Sequence, residues 1–419
     1  MEVVKPNQGA APGLLPRSPQ LRLLVLIVLA LTAAFSTYIA VKRAVSDKTY
    51  MNGRSQAGGV DFQWSGAHIL ALHQDPWKTY IDGDPKDQII LGQQPNYLPE
   101  FYLMLGPLGR MPFPEARAWW CFLNLVFLAG NVLVLRAMFH LDRDHTLLLA
   151  FLVLSSLPFR VTMANGQHAI FILLMLSITF YATNRWVKGM ALGVSFGKYS
   201  FSPLMVMVLL VKKRLDVLLI SLILPVVGLL IAWHILGGNL KTLAFEPIAT
   251  SKIAMGPGSG DIMTPLEIFM RNHGVAAGPT YSVPALLGLV AAVGVAFWIG
   301  RNRRLDERMQ FVVAIVMTLL CFKHVLYDFV VLVAPLAAAM AAPRSRARII
   351  VLVCIFHFWV LSSPINHFYP KRVYALEVMI YSVVLLILGI ATSRLFPGPE
   401  IEGAAALASP ARVTDPVQV

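Results

Sequence analysis

Residues 212–236 decide the fold: two lysines and an arginine, followed by LDVLLISLILPVVGLLIAWHIL. As a helix, this apolar run is long enough to cross about 30 Å of hydrocarbon. Comparable runs occupy residues 21–41, 281–300 and 373–392. Because backbone amides find no water partner inside a bilayer, such runs must be helical. We therefore expect an all-α polytopic membrane protein.

The composition supports this class and argues against a nucleic-acid-binding protein. Of 419 residues, 57% are hydrophobic and 14% are charged, whereas soluble domains carry about 25% charged residues. The net charge of +13 comes largely from short loops between apolar runs. Basic loops of this kind are typical of the cytoplasmic side of membrane proteins. The clusters are Lys212, Lys213 and Arg214; Arg301, Arg303, Arg304 and Arg308; and Arg344, Arg346 and Arg348.

The alternation of basic loops predicts a multi-pass topology in the plasma (inner) membrane. Residues 1–20 form a cytoplasmic tail, residues 21–393 a domain of about twelve transmembrane helices, and residues 394–419 a disordered cytoplasmic tail. A first outer loop, residues 42–115, is rich in aromatic residues and is expected to contain amphipathic helices at the membrane surface. The second outer loop covers residues 237–280, and a short outer loop is expected between them over residues 158–167.

Residues 189–211 are too short for two full crossings, although both flanks carry basic residues. Gly197, Lys198 and Ser200 lie in the middle of this segment. One interpretation is a re-entrant pair of half-helices, with the lysine facing a protein-lined cavity. The other is a single crossing, which would reverse the sidedness of every later loop.

In the re-entrant topology, the unusual polar residues fall at the outer side of the membrane. They come from four separate parts of the chain, so they can converge on one cavity that faces the periplasm or the outside. Ionisable groups at such positions are candidates for function. The residues are Asp61, Asn165, Gln167, Lys198, His324, Tyr327 and Asp328.

The order of these residues resembles glycosyltransferase family 87. These enzymes are polyprenol-phosphate-mannose-dependent α-mannosyltransferases and their relatives, with the C-type glycosyltransferase fold. The resemblance covers roughly residues 20–340, with departures at Gln74, Leu98 and Ala169. The motifs that carry it are Asp61-Phe62, Asp75-Pro76-Trp77, Tyr97-Leu98-Pro99, Gly166-Gln167, Gly197-Lys198-Tyr199-Ser200, and His324 with Tyr327-Asp328.

The resemblance implies an inverting transfer of a hexose, most simply mannose, from a polyprenyl-phosphate sugar to a glycolipid or glycan acceptor. Phosphate is a good leaving group, so the site needs one general base and groups that hold the phosphate. Asp61 is the candidate base, and Lys198 and His324 are the candidate phosphate ligands. Hydrogen-bonding or substrate-binding support is expected from Tyr327, Asn165, Gln167, Asp328, Asp75 and Tyr97.

We expect membrane lipid as a further partner, and neither a metal nor a cofactor. Cys121, Cys321 and Cys354 lack the spacing of a zinc site. Two other functions stay open. A twelve-helix secondary transporter would also have a broken helix pair near the membrane centre. A polysaccharide polymerase or ligase would carry basic residues in a late outer loop, as Lys241, Lys252, Arg271 and His273 do here.

Overall fold

The structure is a computed structural model that describes residues 14–45, 62–90, 94–254, 258–361 and 374–396. All regular secondary structure in these ranges is helical. The first eight helices are α1 (Pro19–Val45), α2 (Trp64–Ala71), α3 (Pro76–Ile81), α4 (Pro99–Gly109), α5 (Phe113–Phe139), α6 (Arg143–Ser155), α7 (Leu157–Ala164) and α8 (Ala169–Tyr181).

The second half of the chain continues the helical pattern, with short 3₁₀ turns at Phe196–Lys198 and Leu326–Leu332 and a π turn at His357–Leu361. Its helices are α9 (Arg185–Ser195), α10 (Ser202–Val211), α11 (Leu215–Ser221), α12 (Ile223–Leu236), α13 (Leu240–Ala254), α14 (Met263–Asn272), α15 (Ala277–Arg301), α16 (Glu307–Cys321), α17 (Val333–Ala341), α18 (Arg346–Phe356) and α19 (Tyr374–Thr392).

Several helices are long and apolar enough to span a membrane, so the chain is a multi-pass membrane protein. Among the described residues, five spans meet this criterion, and a sixth is counted if the bent pair α6–α7 is one span. The five are α1, α5, α11 with α12, α15 and α19. Three further apolar helical segments are shorter, so about twelve crossings and the C-type architecture remain predictions.

The helix following α6 differs from the sequence-based prediction. Residues 158–167 were expected to form an outer loop, but α7 occupies most of this stretch and is bent by 59° from α6. Ser156 accepts a hydrogen bond from the backbone of Phe159 at 3.3 Å, and Pro158 occupies the first turn. A serine cap followed by proline both ends one helix and starts the next.

Helix α16 lies deep in the bundle, and its residues from Met309 to Cys321 are all buried. In contrast, α1 exposes large apolar side chains such as Leu31 and Phe35, which are 67% and 68% exposed. A helix that is apolar all round and buried in protein lies in the interior of the bundle. Helix α1 therefore offers its surface to lipid, while α16 forms the centre against which other helices pack.

The basic loops gather at one end of the bundle, called here the basic end. Arg22 binds Asp144 at 2.9 Å, and Arg308 donates to the carbonyl of Met138 at 3.1 Å. His140, Arg308 and Ala341 line one cavity. At the opposite end of α5, Arg117 donates to the carbonyl of Arg43 at 3.2 Å. The grouping of basic loops agrees with the alternation that the sequence predicts.

Helices α9 and α10 form a hairpin that enters and leaves at the basic end. Lys188, in α9, donates to Glu307 at 2.9 Å, and Arg214, just after α10, lies 3.6 Å from the same carboxylate. Where the two helices meet, Ser202 donates to the carbonyl of Ser195 at 2.8 Å. Because both ends of the segment reach one carboxylate, residues 189–211 double back, as the re-entrant interpretation predicts.

The first outer loop contains three helices, α2 to α4, of which α2 and α4 pack closely. Gly109 of α4 has no room for a side chain, because a Cβ there would lie 2.7 Å from the backbone of Ala67. The indole of Trp64 donates to the carbonyls of Leu108 and Met111, both at 3.1 Å. The helical prediction for this loop is thus confirmed in its described part.

Candidate functional site

Lys198, Asp328 and His324 form a buried cluster, called here the site triad. Lys198 lies in the 3₁₀ turn at the tip of the α9–α10 hairpin, and its ammonium group bonds to Oδ1 of Asp328. His324 Nδ1 lies 3.1 Å from the other oxygen, Oδ2. Relative exposures are 7% for Lys198, 2% for His324 and 3% for Asp328. One carboxylate therefore holds two basic groups side by side.

Aromatic rings enclose the lysine of the triad. The ammonium lies 5.2 Å from the ring centres of both Phe201 and Tyr327, within the range of cation–π attraction. The Phe201 ring also lies 4.3 Å from the His324 imidazole, measured between centroids. These rings remove water from the charges, so each electrostatic interaction there is stronger than at a surface.

Two polar atoms near the triad are buried without a hydrogen-bond partner among the described residues: His324 Nε2 and Asn165 Oδ1. Since a carboxylate can only accept, His324 Nδ1 carries the hydrogen shared with Asp328. The Nε2 atom is then left for another group. Buried polar atoms usually have partners, so this nitrogen is a candidate ligand atom.

The turn between α7 and α8 lies beside the triad. Thr162 donates to the backbone carbonyl of Tyr327 at 2.8 Å, and the amide of Gln167 donates to the carbonyl of Thr162 at 2.9 Å. The structure therefore brings the predicted residues Asn165 and Gln167 to the same end as Lys198 and His324. We call this the site end.

Phe62 is held by a cluster named here the Phe62 anchor: Phe62, Phe113, Trp120, Gly166 and His168. The Phe62 ring stacks on Trp120 at 5.6 Å and on Phe113 at 6.2 Å. Gly166 has a φ of +61°, and a Cβ there would lie 2.9 Å from Phe62 Cβ. Trp120 donates to the Gly166 carbonyl at 2.8 Å. Glycine is thus required by both the turn and the packing.

His168 is a site residue that sequence reasoning missed. Its Nε2 lies 3.0 Å from the Phe62 carbonyl, and its Nδ1 lies 3.2 Å from the Tyr97 hydroxyl. It also lies within electrostatic reach of Lys198 and Asp328. A histidine directly after Gln167, at the end of a polar turn, was the available signal. The structure thereby connects the predicted residue Tyr97 to both the anchor and the triad.

The second outer loop packs on the backbone around His324. The amide of Ser259 donates to the His324 carbonyl at 2.6 Å, and that of Ile262 donates to the Leu320 carbonyl at 3.0 Å. The neighbouring Lys323 bonds to buried Glu267, which also binds Arg271 at 2.7 Å. The carboxylate of Glu267 thus helps to fix the segment that presents His324.

Asp75, predicted to bind substrate, has its observed contacts elsewhere. Its side chain caps α3 by accepting from the Lys78 amide at 2.9 Å, and it faces the carboxyl group of Glu246 in α13. Burial, together with the nearby carboxylate of Asp75, raises the pKa of Glu246 to about 7. Asp75 therefore connects the two outer loops rather than contacting the triad.

Asp61, the predicted general base, lies outside the described residues, but its neighbour Phe62 is the first residue of the described range and belongs to the anchor. Across the described ranges, no group of three or more His, Cys, Asp and Glu side chains is arranged to hold a metal ion. The candidate site thus consists of the triad, the α7–α8 turn and the anchor.

Comparison with protein families is consistent with this arrangement. The model of glycosyltransferase family 87 matches residues 96–322, which is more than half of the chain. The chain belongs to glycosyltransferase family 87. The matched range contains Tyr97, Asn165, Gln167 and Lys198 but ends two residues before His324. Comparisons with curated proteins and with solved structures find no match. As a family 87 member, this multi-pass protein is a membrane glycosyltransferase, which disfavours the transporter alternative.

Proposed function

We propose that this family 87 enzyme transfers a hexose, mannose in the first instance, from a polyprenyl-phosphate sugar to a glycolipid or glycan acceptor at the outer face of the plasma membrane. The basic end faces the cytoplasm, as basic loops usually do. The site end then faces the periplasm or the outside. The lipid tail of the donor lies in the membrane while its phosphate reaches the triad.

The observation that carries the proposal is the buried, unpartnered Nε2 of His324 beside Lys198. When His324 is protonated, its charge and that of Lys198 exceed the single negative charge of Asp328, which gives the triad a net charge of +1. This charge favours an anion in a dry site. Asp328 orients both groups, and the imidazolium Nε2–H donates to a phosphate oxygen.

The proposed reaction is a single displacement at the anomeric carbon. The acceptor hydroxyl attacks the anomeric carbon, and its proton passes to the carboxylate of Asp61. The bond between the anomeric carbon and the phosphate oxygen breaks, and its electron pair leaves with the polyprenyl phosphate. The phosphate goes from one negative charge to two, so its interactions with Lys198 and His324 strengthen as the bond breaks. Attack from the opposite face inverts the anomeric centre.

Other side chains at the site end complete the donor site. Asn165 Oδ1 is buried without a partner among the described residues and can accept from a sugar hydroxyl. Thr162 holds Gln167 and Tyr327 close together, because it accepts from the Gln167 amide and donates to the Tyr327 carbonyl. They supply hydrogen bonds around the sugar. Tyr97 bonds to His168, which also contacts the Phe62 carbonyl.

The test supplies the purified protein in nanodiscs with radiolabelled polyprenyl-phosphate sugars, one sugar at a time, and a membrane-lipid extract as acceptor. We expect transfer from polyprenyl-phosphate mannose, with a product anomer opposite to that of the donor. Transfer only from a nucleotide sugar, or retention of the anomeric configuration, would contradict the proposal. A different transferred hexose would correct the sugar and leave the reaction class intact.

A further inference from the structure

Helices α2 and α4 enclose a groove, called here the α2–α4 groove, which Ile235 near the end of α12 also lines. None of the residues of the site triad lines it. We propose that this groove binds the headgroup of an anionic phospholipid in the membrane leaflet at the site end. This lipid is neither the donor nor the acceptor, so the inference goes beyond the proposed function.

The groove is large enough for a headgroup, and one of its walls is rigid. Its volume is about 300 Å³, at the lower end of the usual range for ligand sites, about 300–1,000 Å³. Tyr102 lines it and is fixed, because its hydroxyl donates to Gln63 at 2.6 Å and its ring packs directly on Gly66. At Gly106, a Cβ would meet no packing partner within 4 Å, so the groove is open there.

Two basic side chains, His73 and Arg110, line the groove, and no Asp or Glu does. Both are exposed, and neither side chain has a hydrogen-bond or ion-pair partner within the described ranges. In contrast, Arg271 binds a buried carboxylate at 2.7 Å. Asp75, two residues after His73, is already used, because it caps α3 and faces Glu246. The groove therefore carries positive charge that no lining residue balances.

The groove lies at the level where a membrane-spanning helix ends. Ile235 is the penultimate residue of the α11–α12 span. Next to the lining residues, Leu72 and Met104 are 48% and 40% exposed. Exposed apolar side chains beside basic ones are typical of the boundary between headgroups and acyl chains. The basic loops gather at the opposite end, so the usual excess of basic residues at the cytoplasmic side does not account for Arg110.

An anionic phospholipid matches both parts of this surface. The guanidinium of Arg110 presents N–H groups in a planar fork that binds phosphate oxygens in pairs, and the imidazole of His73 adds a further donor. Leu72 and Met104 then contact the acyl chains. A free phosphate would use the basic groups alone. A zwitterionic headgroup brings its own positive charge, which the groove repels.

The test titrates dye-labelled phosphatidylglycerol into the purified full-length protein in an uncharged detergent. Labelled phosphatidylcholine with the same acyl chains is the comparison. We expect phosphatidylglycerol to bind at least about 5-fold more tightly, since one basic residue near an anionic lipid contributes about that factor. Arg110→Gln should lower the phosphatidylglycerol affinity by about 5-fold and His73→Gln by less.

Three further variants test whether the headgroup lies in the groove. Gly106→Leu keeps every charge but fills the groove, so the preference for phosphatidylglycerol should disappear. Gly294→Leu makes the same change at an exposed position of α15 where a Cβ also meets nothing within 4 Å. Lys86→Gln removes one positive charge from the same outer loop, outside the groove. Both of these controls should stay within about 2-fold of wild type.

Each contrary result overturns the inference in a distinct way. Equal affinities of wild type for the two lipids would show that the groove does not select an anionic headgroup. Equal losses for Arg110→Gln and Lys86→Gln would show a diffuse attraction to the outer loop. Wild-type affinity in Gly106→Leu would place the headgroup elsewhere, and displacement of the lipid by equimolar inorganic phosphate would show a site for free phosphate. Because none of these measurements involves sugar transfer, their outcome is separate from that of the proposed function.

Discussion

The α9–α10 hairpin is held by one carboxylate at each end, and the two carboxylates differ in their surroundings. At the basic end, Glu307 binds Lys188 and Arg214, and its side chain is 42% exposed. At the site end, Asp328 binds Lys198 and His324 with 4% of its side chain exposed. The hairpin thus carries two lysine–carboxylate pairs: Lys188–Glu307, whose carboxylate is partly exposed, and Lys198–Asp328, which is buried.

This difference indicates which pair has a function beyond holding the hairpin. Exposed ion pairs contribute about 0–1 kcal/mol, and salt screens them. Burying charges costs several kcal/mol, which the attraction within the pair recovers only partly. Stability alone therefore does not account for a buried pair that leaves His324 Nε2 without a partner among the described residues. Such a pair is well suited to bind an anion that brings its own charge.

The largest expected effect comes from removing the buried carboxylate. Asp328→Asn leaves Lys198 without its counter-charge in a buried site, and removal of one partner typically costs about 3–5 kcal/mol. The half-buried carboxylate at the other end, changed as Glu307→Gln, should cost less, because its side chain is 42% exposed and solvent screens its ion pairs. Thermal denaturation of both variants in the same detergent measures the contrast. Equal changes in melting temperature would mean that the two ends of the hairpin are equivalent.

The next effect concerns donor binding. Lys198→Met should weaken the affinity for a polyprenyl-phosphate sugar by about 10-fold or more, because a charge-assisted bond to phosphate is lost. It should also destabilise the protein, since the buried Asp328 loses one of its two basic partners and keeps only His324. The double variant Lys198→Met/Asp328→Leu removes both charges and should recover stability without recovering donor affinity.

Lys188→Met is the matched control for donor binding, because it changes the same residue type in the same hairpin at the basic end. Its donor affinity should stay within about 2-fold of wild type. Titration of labelled donor into nanodiscs measures all three variants. A loss for Lys188→Met equal to that for Lys198→Met would show that hairpin integrity, and not a phosphate contact, controls binding.

The smallest expected effect is a pH dependence of the melting temperature. It originates in the outer loops, where the carboxyl group of Glu246 faces the carboxylate of Asp75. Burial and the nearby carboxylate of Asp75 raise the pKa of Glu246 in the folded protein to about 7, above the usual value of 4.5. Its stabilising contribution is therefore complete below pH 4.5 and is lost as the pH rises through about 7. We expect the melting temperature to fall modestly between about pH 4.5 and about pH 7 and to level off at higher pH.

Glu246→Gln should flatten this pH profile, and Asp75→Asn should reduce its slope, because each change removes one of the facing carboxylates. Asp82→Asn, at an exposed position of the same loop, is the control and should keep the wild-type profile. An unchanged slope in Glu246→Gln would remove the carboxyl pair as the cause.

Part of this architecture was predictable from the sequence. Basic residues at both flanks of residues 189–211, with Gly197-Lys198 in the middle, left two interpretations, a re-entrant pair with a lysine at its tip or a single crossing, and the contacts of both ends with Glu307 favour the first. The long first span and the helices of the first outer loop were also predictable. Each of these features depends on local composition, charge and length.

The features that could not be predicted depend on contacts between distant parts of the chain. Lys198 and Asp328 are separated by 130 residues, and no local pattern indicates that the carboxylate holds both Lys198 and His324. His168 likewise contacts a carbonyl 106 residues away. The contact between Asp75 and Glu246 and the bend at Ser156 likewise follow from tertiary packing rather than periodicity.

The most direct test of the account is the rate of sugar transfer by purified Asp61→Asn in nanodiscs, measured together with donor affinity. The asparagine keeps the shape of the side chain but cannot accept a proton at neutral pH. If Asp61 is the general base, the rate should be lower by about 10²- to 10⁴-fold, which is the usual contribution of a general base, and donor affinity should be nearly unchanged. Retention of more than about a tenth of the wild-type rate, with chemistry rate-limiting, would contradict it.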